Sequence, residues 1–219
     1  MTARAPVDPR LLLTWLGLLF GIAALVLQFV LSMQDMLGNG RDVMGAVGHF
    51  LAYYTILTNI VLVLVYLAEI LPDAPLALFR RPVVRGMMAA NIALVSLYVF
   101  FVLRFLTTLE GMPLLADSML HYLCPALYLI WWLVAQPHGK LRWRHLPLML
   151  VPTLFYFVYV MARGAWVQEY PYPILNALRY GYGQVLLNAT YMTLALATLC
   201  AAAILLDGFL ARLSRTVIQ

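Results

Sequence analysis

Few side chains in this sequence could do nucleophilic or acid–base chemistry, and the best placed of them sit inside long apolar runs. In Tyr53-Tyr54-Thr55-Ile56-Leu57-Thr58-Asn59, residues Thr55, Thr58 and Asn59 fall at i, i+3 and i+4, so a helix puts all three on one face. A threonine hydroxyl is a weak nucleophile until a base takes its proton. His121, inside another apolar run, is a base whose neutral imidazole suits that work. Asp117 stands four residues earlier on the same helical face. It could orient the imidazole as the third member of a triad does, or simply mark a helix start in the headgroup region. His49 is a rival base, but on a helix continuous with Thr55 it points about 120° away and is set aside.

Each candidate also has a plainer reading. A threonine in a membrane helix commonly bonds back to its own i−4 carbonyl, and a histidine can be satisfied by a neighbouring helix. Arg104 is either a cation snorkelling to the surface or a clamp for a substrate carboxylate.

The elements that must position these groups are membrane helices. Of 219 residues 64% are apolar and only 11% charged, against roughly 25% charged in a soluble domain. Such a chain cannot clothe itself in a polar shell. The expected fold is all-α: one integral membrane domain of six spans, at 11–32, 50–71, 86–107, 116–136, 145–162 and 182–206. Pro147 and Pro152 predict a bent or tilted fifth span.

Most of the basic residues lie at Arg4, Arg10, Arg80, Arg81, Arg85, Lys140, Arg142, Arg144, Arg212 and Arg215, which predicts two cytoplasmic termini. Thr55 then falls roughly 8 Å inside the outer end of its helix, with His121 at similar depth and Arg104 slightly higher. Gln28 and Asn188 share that layer, so five helices are expected to build a polar pocket toward the extracytoplasmic side.

The remaining features are read more briefly. Cys124 and Cys200 are expected near opposite membrane faces and unpaired, and no cleavable signal peptide is expected. His138 and His145 flank a basic loop and read as solvated, and Trp131-Trp132 as a lipid or core contact. The basic residues set orientation and require no nucleic-acid partner. The stretch from Arg163-Gly164-Ala165-Trp166 to Tyr170-Pro171-Tyr172-Pro173 reads as a stiff loop that could cap the pocket or anchor at the interface.

Taken together, aromatic-Thr-x-x-Thr-Asn (Tyr54 to Asn59), Asp-x-x-x-His-x-x-x-Pro (Asp117, His121, Pro125), and Gly-x-Trp followed by Tyr-Pro-x-x-x-Leu near Tyr172 resemble a bacterial six-span family. That family is related to the eukaryotic androgen-induced (ADTRP) membrane proteins. The resemblance implies an intramembrane threonine hydrolase in the bacterial cell membrane, acting on lipid esters such as fatty acid esters of hydroxy fatty acids. His121 matches the family histidine, and the nucleophile is Thr55 or Thr58. Asn59, Asn188 or a backbone N–H would stabilise the oxyanion, with Arg104, Asp117, Gln28 and Tyr172 supporting or binding substrate. No metal or organic cofactor is implied. The rival expectation is a non-catalytic lipid-binding or transport protein using the same pocket.

Overall fold

The computed structural model describes residues 8–106 and 108–216, with the side chains of Arg215 and Thr216 left out. Arg4 and Thr107 also lie outside the described residues. Eight α-helices carry the described chain, which contains no strand: α1 (Pro9–Gly38), α2 (Val43–Phe50), α3 (Tyr54–Ile70), α4 (Pro82–Phe101), α5 (Gly111–Ser118), α6 (Cys124–Ala135), α7 (Leu146–Val167) and α8 (Ala177–Thr216). A π-helical turn, Met119–Leu123, joins α5 to α6 into one rod. Five of the helical segments are long and apolar enough to cross a membrane, and α2 with α3 makes a sixth if that bent pair is one span. The protein is an integral membrane helix bundle.

The second span departs from the expected continuous helix over 50–71. It is broken at Leu51–Tyr53, and α2 and α3 meet at 77°. There is no proline or glycine at the break to announce it. The freed backbone groups find tyrosines instead. Tyr156 Oη donates to the Ala52 carbonyl at 3.0 Å and Tyr159 Oη to that of Leu51 at 3.5 Å. In lipid a broken helix survives only with such replacement partners. The break moves Thr55 from a position inside a span to the first turn of α3.

Three other expectations change. The fifth span runs to Val167, so Arg163 and Gly164–Trp166 form the last turn of α7 and not a loop. Gly164 is required there, since a Cβ would lie 2.1 Å from the ring of Tyr170. The last span starts where expected, because Gly181 (φ 73°) breaks α8 just before Tyr182, but it extends to Thr216. Arg85 is not a loop residue; it is buried in α4, bonded to Glu69 and Gln136 at 2.5 Å each and to the Phe79 carbonyl at 3.2 Å.

Tyr66 packs edge to face on both Tyr128 and Trp131 at the centre, and Trp131 Nε1 donates to Thr14 Oγ1 at 2.8 Å. Trp131 and Trp132 are therefore core residues and do not face lipid. His138 is also not solvated: its Nδ1 lies 3.1 Å from Asp207, whose carboxylate accepts the Gly139 and Leu141 N–H groups and pins the α6–α7 loop to α8. Cys124 and Cys200 are both buried and free.

Candidate active site

Threonines in this protein mostly spend their hydroxyls on their own helices. Thr14, Thr58, Thr190, Thr193 and Thr198 each donate to the carbonyl four residues back, at 2.7–2.9 Å. Thr55 does not. It lies in the first turn of α3, and the carbonyl that would be its i−4 partner, Leu51 O, sits beyond the break and faces Tyr159. Its Oγ1 is instead 3.1 Å from His121 Nε2. Of the two candidate threonines the structure brings only Thr55 to the imidazole, and Thr58 Oγ1 is committed to the Tyr54 carbonyl.

His121 is presented by the π turn, and the local chemistry accounts for that turn. Pro125 has no N–H, so the His121 carbonyl loses its ordinary i+4 donor. The Cys124 N–H reaches one residue further back, to the Met119 carbonyl, which leaves Leu120 O unpaired as well. Neighbouring helices supply both missing donors. Ser96 Oγ on α4 donates to His121 O at 2.7 Å, and Asn59 Nδ2 on α3 donates to Leu120 O at 3.3 Å and Thr55 O at 2.9 Å. Asn59 thus ties the Thr55 segment to the His121 segment. Its amide N–H groups are committed to these two carbonyls.

On its other nitrogen, His121 Nδ1 lies 2.9 Å from Asp117 Oδ1 and 3.0 Å from the Asp117 main-chain carbonyl. Both partners are acceptors, so Nδ1 carries the proton and Nε2 turns its lone pair to Thr55 Oγ1. The Asp117 main-chain carbonyl, His121 and Thr55 form a continuous chain of hydrogen bonds ending on a hydroxyl, with the Asp117 carboxylate in ion-pair contact with the imidazole.

Tyr172 completes the site from the loop between α7 and α8. Its phenol oxygen accepts the Thr55 N–H at 3.3 Å and is 3.4 Å from Thr55 Oγ1. Burial pushes this phenol above its usual pKa, partly offset by hydrogen bonds from Thr55 and the Tyr54 backbone. It therefore keeps its proton at neutral pH and has a donor to offer. Asn188 stands one shell back: its Nδ2 donates to the Ile174 carbonyl at 2.9 Å and holds the short Pro173–Leu175 turn behind Tyr172. A charge cluster fixes the front of the same loop. Glu169 bonds Arg41 at 2.7 Å and His49 at 2.8 Å, with Arg163 at 3.4 Å. His49 sits on α2, and its Nδ1 is taken by Glu169.

Two chambers meet at Thr55 and Tyr172. One, of about 700 Å³, is lined by Gln28, Asp35, Arg104, Asp117 and His121. The other, of about 350 Å³, is walled by Leu94, Val95, Val99, Phe157, Leu186, Met192 and Leu194. Its rim residues Leu154, Leu186 and Leu194 are exposed, so it opens toward lipid. Arg104 lies on an exposed 3-10 turn, its guanidinium stacked over Phe100 at 4.0 Å and Phe105 at 4.6 Å. A polar trio the sequence did not flag, Tyr54 with Asn91 and Thr153, joins α3, α4 and α7 beside the apolar chamber. Asn91, mid-helix in an apolar run, was the available signal.

No family model, curated protein or solved structure matches the chain. The resemblance noted in the sequence rests on the motifs alone.

Proposed function

We propose that the protein is a membrane-embedded lipid-ester hydrolase with Thr55 as nucleophile, His121 as base and Asp117 as its orienting partner. The observation that carries this reading is the 3.1 Å approach of Thr55 Oγ1 to His121 Nε2 at the junction of a polar and an apolar chamber. In acylation, Thr55 Oγ1 forms a bond to the acyl carbon as its proton passes to His121 Nε2. The tetrahedral oxyanion receives the Tyr172 O–H and sits at the N-terminus of α3, where the helix dipole favours negative charge. Collapse breaks the ester C–O bond, and the leaving alkoxide takes the proton from His121. Water then attacks the acyl-threonine with His121 again as base, releasing the acid and restoring Thr55.

The substrate is an amphipathic ester whose acyl chain enters the lipid-facing chamber. Its alcohol portion lies near Gln28 and Arg104, which suits a free carboxylate there. A site toward the extracytoplasmic side of a bacterial cell membrane, with both termini cytoplasmic, fits the distribution of basic residues.

Fluorophosphonate labelling of the purified protein tests the reading. Label should appear in wild type and in Thr58→Ala, weaken in His121→Ala, vanish in Thr55→Ala, and return in Thr55→Ser. Labelling that survives Thr55→Ala removes the proposed nucleophile. A wild type that takes no label and turns over no ester, yet retains lipid, would favour a lipid-binding protein.

A further inference from the structure

At the membrane face opposite Thr55, a third cavity of about 430 Å³ lies between the α6–α7 loop and the end of α8. Arg142 and Arg212 line it together with Trp143, Leu205, Gly208 and Phe209. We infer that this cavity binds the phosphate of an anionic phospholipid from the surrounding leaflet, one acyl chain lying along Leu205 and Phe209.

Depth, charge and shape agree on that occupant. Counted from Tyr182, Leu205 lies about 35 Å along α8, beyond a hydrocarbon core of ~30 Å, so the cavity is at headgroup level. Trp143, Leu205 and Phe209 are each more than half exposed, which leaves an apolar wall open to the bilayer beside two guanidiniums. Guanidinium forks match phosphate oxygens in pairs. Among the described residues Arg142 has no ion pair. The nearby acid on α8, Asp207, is buried and committed to His138 and to the Gly139 and Leu141 N–H groups. The cavity is separate from the hydrolase site, and the inference does not depend on that reading.

The test uses the full chain in phosphatidylcholine nanodiscs, with bromine on the acyl chains of either phosphatidylglycerol or phosphatidylcholine as quencher. The quenching lost on Trp143→Phe reports this cavity alone. Brominated phosphatidylglycerol should quench Trp143 preferentially, and Arg142→Gln or Arg212→Gln should each cut that preference roughly fivefold. Gly208→Leu provides a variant that keeps every charge: a Cβ there meets open space, and leucine is the better helix former. It should abolish the preference by filling the cavity while the fold stays intact. Equal quenching by the two lipids, or a preference unchanged in Gly208→Leu, overturns the site. Loss of the preference on adding inorganic phosphate at constant ionic strength would assign the cavity to a soluble phosphate and overturn the lipid.

Discussion

Replacing Asp117 by alanine tests how the proposed base is held. In a triad whose carboxylate alone fixes the imidazole tautomer, losing that charge costs about 10⁴-fold in turnover. Here Nδ1 has a second acceptor, the main-chain carbonyl of Asp117 itself at 3.0 Å, which no side-chain substitution removes. The tautomer should survive in Asp117→Ala. What disappears is an ion-pair contact at 2.9 Å with a carboxylate that is 27% exposed. A hydrogen bond to a charged group contributes about 1.5–3 kcal/mol and a neutral one about 1 kcal/mol. The difference as imidazolium forms is therefore about 0.5–2 kcal/mol, or roughly 2- to 30-fold in kcat. Asp117→Asn should behave similarly, because its amide can donate to Nδ1 only in the tautomer that the carbonyl opposes. The assay is kcat on a chromogenic medium-chain acyl ester with protein in detergent, beside His121→Ala. A loss as deep as that of His121→Ala would refute the reasoning, since the carboxylate would then be the sole determinant of the tautomer. An unchanged kcat would show that Asp117 takes no part.

Two further outcomes follow from the geometry. Asn59→Leu leaves the Leu120 carbonyl without a donor; at about 0.6–1.5 kcal/mol for such an interhelical bond, the thermal midpoint in detergent should fall by about 2–5 °C, and labelling of Thr55 should fall with it. Glu169 carries a burial penalty that the hydrogen bonds and charges of Arg41 and His49 together outweigh, so its carboxyl is held below its ordinary value of 4.5. Its contribution to stability is complete above that value and is lost as pH falls through the lower folded value. The thermal midpoint of wild type should therefore drop below about pH 4.5 by more than that of Glu169→Gln, and parallel curves would count against the cluster as a tie.

The sequence carried the membrane class and the pairing of a hydroxyl with His121, because length, hydropathy and side-chain chemistry are local properties. It did not carry the choice between Thr55 and Thr58. That choice depends on a helix break satisfied by Tyr156 and Tyr159, more than a hundred residues away. Helical spacing treated the two threonines as equivalent, whereas one lies in a first turn and the other has a carbonyl behind it. Pro125 was a visible sign of the π turn, yet only Ser96 and Asn59, on other helices, show that the freed carbonyls are paired. Reading Arg85 as a loop cation and His138 as solvated failed for the same reason, since their partners Glu69 and Asp207 lie on other helices.

Thr55 and Tyr172 belong to the walls of both chambers. On the proposed chemistry, an ester lodged across that shared wall is divided into fragments that begin life in different solvents. The released acid is left with its tail already in oil and can drift sideways into the leaflet. The alcohol, on the wetter side, departs toward the aqueous phase. Two exits mean that neither fragment has to pass the other, and the reverse reaction would require both to arrive at once from opposite directions.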